Sequence, residues 1–102
     1  MKTTINETDG KYVITIEGRF DTAAADQASK DLSMFNENTG HDITIDAKGL
    51  EYISSSGLRI FLTIRKEASR QGGKVIVRNL RKEIGQVFLM TGFYNLFEMQ
   101  QA

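Results

Sequence analysis

Apolar and polar residues follow a readable rhythm along most of the chain. Tyr12-Val13-Ile14-Thr15-Ile16 is β-branched and aromatic and predicts a strand ending at Gly18. Thr3–Thr8 is a second strand candidate ahead of it, and the Asp9-Gly10 pair between them is a hairpin turn signal. Asp21 stands where a helix N-cap belongs. Behind it Ala25, Ala28, Leu32 and Phe35 recur at helical spacing as one apolar stripe, and the polar run from Asn36 to Gly40 ends the helix. Asp42-Ile43-Thr44-Ile45-Asp46 alternates as a short strand. Lys48 to Ile53 then leads to Ser54-Ser55-Ser56 and Gly57. Leu58 to Ser69 predicts a second helix with Leu58, Phe61, Leu62, Ile64 and Ala68 inward, stopped by Gly72-Gly73. Val75-Ile76-Val77 has no polar side and predicts a central strand covered on both faces. Arg81 to Met90 predicts a third helix with Ile84, Val87 and Phe88 inward and Gly92 as its cap, and Phe93 to Met99 a final edge strand.

Two strands joined by a hairpin and followed by alternating helices and strands predict an α/β fold. Its expected form is a mixed β-sheet of four to five strands flanked by about three to four helices. A chain of 102 residues is expected to be a single domain spanning 1–102. Hydrophobic residues at 40% and charged residues at 25% are ordinary globular usage. Thirteen basic and thirteen acidic residues cancel, which argues against a surface built to grip nucleic acid or an anionic membrane. Cysteine is absent, so no disulfide or thiolate metal site is expected, and a reducing cytoplasm fits. The polar start Met1–Asn6 does not resemble a signal peptide, and no run is apolar enough for a membrane span. No cofactor and no metal are expected.

The serine triplet is the most informative stretch. One reading makes it a capping loop, since a single serine at an N-cap accepts a hydrogen bond from an orphan backbone N–H. Three serines exceed that task. The other reading is a covalent switch: a phosphate there would face free N–H groups and the positive end of the helix dipole, and Gly57 would let the backbone approach closely.

Tyr52-Ile53-Ser54-Ser55-Ser56-Gly57-Leu58-Arg59 resembles the signature of the STAS domain as found in anti-sigma factor antagonists. Glu17-Gly18-Arg19-Phe20-Asp21-Thr22 resembles the family's second motif. Asp46 at the expected end of a strand, Gly72-Gly73-Lys74 and Thr91-Gly92-Phe93 match in order and spacing. The resemblance covers essentially the whole chain. It implies a non-enzymatic regulator of transcription that acts by partner switching. The unmodified protein would bind an anti-sigma factor that is usually also a serine kinase. Phosphorylation would release it, and a serine phosphatase would restore binding. The phosphorylated serine falls on Ser55, with Asp21, Ser54, Ser55, Ser56 and Gly57 as the partner-binding set. In well-known members the residue before the phosphoserine is aspartate; here it is Ser54. The alternative within the family is an unphosphorylated scaffolding subunit of a transport or stress-signalling complex.

Other features carry less. A serine nucleophile would need a base, and the one histidine, His41, reads as a surface residue; no Gly-x-Ser-x-Gly elbow is present. Gly72-Gly73-Lys74 lacks the hydroxyl residue and upstream glycine of a phosphate loop. Arg78, Arg81 and Lys82 read as a solvated basic face. Phe20, Met90, Phe93 and Tyr94 fit either a partner surface or the core.

Overall fold

β1 (Lys2–Thr8) and β2 (Lys11–Phe20) pair antiparallel, with Ile5 opposite Ile14 and Asn6 opposite Val13. The computed structural model describes residues 1–8, 11–32, 42–70 and 72–100. The Asp9-Gly10 turn, Phe35, the stop from Asn36 to Gly40, His41 and the side chain of Leu32 lie outside the described residues. α1 (Thr22–Leu32) leads on to β3 (Ile43–Ile53), which pairs parallel with β2. α2 (Ser55–Arg70), β4 (Val75–Arg78) and α3 (Lys82–Thr91) follow. A 3-10 helix at Phe93–Leu96 then precedes β5 (Glu98–Gln100). The sheet order is β1-β2-β3-β4-β5, antiparallel at β1 and parallel beyond, so among the described residues the mixed five-stranded sheet with three α-helices matches the expected architecture.

Both long strands outrun their predicted ends. β2 does not stop at Gly18. That residue adopts φ +96°, which glycine tolerates, and the strand continues to Phe20. β3 does not stop at Asp46 but runs to Ile53, so Asp46 is mid-strand at the last position paired with β4. Against β2 the register slips between Thr15 and Glu17 and again between Gly18 and Arg19, and each slip inserts an extra β3 residue. Those bulges stretch the spacing of buried positions in β3 from Ile43, Ile45 and Ala47 to Leu50 and Ile53. The edge strand predicted over Phe93–Met99 is a 3-10 turn followed by three strand residues. Gly92, at φ +79°, turns the chain out of α3 there.

One face of the sheet carries Ile14, Ile16, Ile43, Ile45, Val75 and Val77, all buried. Ala25 of α1, Phe61, Ile64 and Ala68 of α2, and Ile84 and Phe88 of α3 close over it. Phe61 is central, meeting Phe88 edge-on at 5.3 Å between ring centroids and Phe97 at 6.1 Å. Truncating so enclosed a ring would cost about 3–5 kcal/mol. Leu62 and Val87, expected inward, are half-buried, as is Ile76. β4 therefore lies inside the sheet, between β3 and β5, but is fully covered on one face only, because these helices all pack on the side of Val75 and Val77.

Candidate functional site

The ends of β2 and β3 lie side by side, with Phe20 opposite Ile53 and both side chains buried. The chain leaves β3 at Ser54, and this residue is pinned four ways. Its N–H donates to the Phe20 carbonyl at 2.9 Å. Its Oγ–H donates to the same oxygen, also at 2.9 Å. Its Oγ accepts from the Gly57 N–H at 3.1 Å, which is an N-cap bond. Its carbonyl accepts from the Leu58 N–H at 3.0 Å, the first helical turn of α2. The helix thus begins at Ser55, three residues before the apolar pattern placed it, because its first turn is set by the cap and not by a stripe.

The three serines are consequently unlike. Ser54 is half-buried with its hydroxyl proton committed to the Phe20 carbonyl. Ser56 is half-buried within the first turn, and Ser55 is exposed. Gly57 is buried and leaves no space for a side chain: a Cβ would stand 2.9 Å from Ile53 Cγ1 and 3.0 Å from both Phe20 Cγ and Phe20 O. The first turn of α2 therefore rests on the two strand ends and presents Ser55 outward. No acidic residue occupies that turn. Arg59, one turn on, is exposed, and its side chain has no hydrogen-bond or ion-pair partner among the described residues.

Asp21 follows Phe20 directly and caps α1, its Oδ1 accepting from the Ala24 N–H at 2.9 Å. The Phe20 carbonyl ties this cap to that of α2, so Asp21, Ser54, Ser55, Ser56 and Gly57 converge on one corner. The pattern missed the carbonyl's role because a backbone oxygen has no residue signature. Phe20 itself, weighed as a partner contact, is core at 2% exposure, while Phe93 and Tyr94 are half-buried against the core and Met90 is 87% exposed. On the opposite side of β2 and β3, the Arg19 guanidinium lies 4.2 Å from the centroid of the Tyr52 ring, a cation–π contact.

Asp46 sits apart from this corner. Partial burial alone would raise its carboxyl pKa, but hydrogen bonds from the Lys48 N–H, Asn79 and Arg78 outweigh that and hold it below the ordinary value. Arg78 is thereby paired, and Arg81 Nε donates to the Lys48 carbonyl at 3.1 Å. Two of the three residues read as a solvated basic cluster thus make specific local contacts.

A family model described as the STAS domain matches residues 2–102. The chain is 29% identical over 102 residues to the putative anti-sigma factor antagonist BtrV of Bordetella bronchiseptica, covering 100% of this chain and 88% of that one. It is 25% identical to the anti-sigma-B factor antagonist of Bacillus subtilis, covering 93% and 86%. The fold superposes on the anti-sigma factor antagonist SpoIIAA in its unphosphorylated form with a TM-score of 0.84 at 23% identity, covering 99% and 88%. Against the phosphorylated form of the same Bacillus protein the TM-score is 0.78, covering 99% and 91%. No described helix is long and apolar enough to cross a membrane.

Proposed function

From the premise that the chain belongs to the STAS domain family, we propose that it is an anti-sigma factor antagonist whose partner binding is switched by phosphorylation of Ser55. The observation that carries this is the sorting of the serine triplet: Ser54 is locked, Ser56 is half-buried, and Ser55 is exposed at the first residue of α2. In the unmodified state the corner formed by Asp21, Ser54, Ser55, Ser56 and Gly57 docks on an anti-sigma factor that is also a serine kinase. The kinase passes the γ-phosphoryl group of ATP to Ser55 Oγ, with loss of the hydroxyl proton and release of ADP. A serine phosphatase reverses the change by hydrolysing the ester.

The asymmetry the switch needs follows from the helix start. A phosphate adds roughly −1.5 to −2 charges. Pressed into a contact surface, such a group meets like charge and desolvation costing several kcal/mol, and about 2.7 kcal/mol already weakens binding roughly a hundredfold. At an exposed helix N-terminus the same charge is favoured by about 0.3–1 kcal/mol. Binding is lost while the fold stands.

The test is incubation with the cognate kinase and ATP followed by tandem mass spectrometry, with binding to the anti-sigma factor measured by calorimetry. A single phosphate is expected on Ser55. Ser55→Ala should still bind, and Ser55→Glu should bind at least about tenfold worse. No phosphate, with both variants binding equally, would refute the switch and favour a scaffolding role on the same fold.

A further inference from the structure

We propose that Arg59 is the internal counter-ion of a phosphate on Ser55, so that modification withdraws a cation from the docking face as well as adding an anion. The inference rests on the reading of Ser55 as the phosphoacceptor and concerns what the phosphate then meets.

Ser55 is the first residue of α2 and Arg59 lies four positions on, so the two are neighbours on one helix face. Side chains on a helix lean toward its N-terminus, which directs the Arg59 stem back over the first turn. The intervening residues do not obstruct it: Gly57 has no side chain, Leu58 is buried and Ser56 is half-buried. A guanidinium offers a planar fork of donors that matches two phosphate oxygens.

The charged groups on the elements packed around the start of α2 leave that task to Arg59. Arg19 at the end of β2 is stacked on Tyr52 of β3. Arg78 of β4 is paired with Asp46. The other charged residues of these elements are Lys11 and Glu17 on β2, Asp21, Asp26, Lys30 and Asp31 at α1, and Lys48 and Glu51 on β3; of these, Asp21 shares the corner with Ser55. The dianionic phosphate is thus balanced by Arg59 and the helix N-terminus, against Asp21 at the same corner. Before modification the face presents an unpaired cation; afterwards it presents an ion pair with excess negative charge.

The experiment uses the full chain with phosphoserine installed at position 55 during translation, and reads the second phosphate pKa from the pH dependence of its 31P shift. Arg59→Gln is expected to raise that pKa by about 0.2–0.4 unit, the size of an exposed i,i+4 ion pair. Arg59→Lys should restore part of the difference, and about 0.5 M salt should shrink it. Lys66→Gln, an exposed residue farther along the same helix, should leave the pKa within about 0.1 unit. An Arg59→Gln value within about 0.1 unit of the parent, or a larger effect from Arg19→Gln, would overturn the assignment. Circular dichroism confirms that each variant is folded, and Arg59→Lys repeats the comparison with the charge kept. Because the phosphate is installed and not transferred, a kinase that ignores Ser55 would refute the switch while leaving this result standing.

Discussion

Replacing Gly57 with alanine puts one methyl group where the site has no room for it. Its carbon would lie 2.9 Å from Ile53 Cγ1, 3.0 Å from Phe20 Cγ and 3.0 Å from the Phe20 carbonyl oxygen. None of these is the free end of a flexible side chain; Ile53 and Phe20 are buried, and the carbonyl holds Ser54. Overpacking of this kind costs about 1–3 kcal/mol, and strained Ser54 hydrogen bonds add about 1 kcal/mol. Helix propensity pulls the other way, favouring alanine over glycine by about 1 kcal/mol. The net is a loss of about 1–3 kcal/mol, or a melting midpoint lowered by roughly 5–15 °C for a domain of this size. Gly85, inside α3 with nothing within 4 Å of its would-be Cβ, supplies the control. There the same substitution should stabilise by about 0.5–1 kcal/mol. Thermal and urea unfolding followed by far-UV circular dichroism measures both. Gly57→Ala melting at or above the parent would refute the claim that the first turn of α2 is clamped on the strand ends. Gly85→Ala melting lower would remove the propensity baseline from which the two signs were argued.

Ser54→Ala should lower stability by about 1–2 kcal/mol through loss of the cap and of the donor to Phe20, whereas Ser54→Thr should recover most of it; urea midpoints decide. Asp21→Ala should cost about 1 kcal/mol of stability as a lost cap. It should also weaken anti-sigma factor binding beyond what that loss explains; unchanged affinity in calorimetry would leave Asp21 a cap alone. Asp46 has a folded pKa below the ordinary value of an aspartate carboxyl, so its contribution is present above that ordinary value and is lost as pH falls through the lower folded value. Asp46→Asn should therefore be less stable than the parent by about 1 kcal/mol at neutral pH, with the gap closing in acid below the ordinary carboxylate range. A gap unchanged across an acid titration would mean that the carboxylate's charge does not matter.

Much of the architecture was legible because it rests on local patterns. β-Branched and aromatic content marked Tyr12–Ile16, alternation marked Asp42–Asp46, helical spacing marked the buried faces of α2 and α3, and Asp21 and Gly92 stand at the helix ends they were expected to cap. Motif order likewise brought Ser55 and its neighbours to one helix start. What failed was the length of β3, and the reason is physical. Two bulges against β2 shift the buried positions from every second residue to Leu50 and Ile53, so Lys48–Ile53 carries no strand rhythm even though it is a strand. The coverage of β4 was equally hidden, since an apolar triplet cannot say on which side the helices will pack. Nor could composition separate three identical serines. Tertiary structure separates them, because the Phe20 carbonyl, thirty-four positions away in sequence, takes the proton of Ser54 and fixes the turn that leaves Ser55 facing solvent. A backbone oxygen is the same at every residue, and only the meeting of two strand ends decides which one a hydroxyl will find.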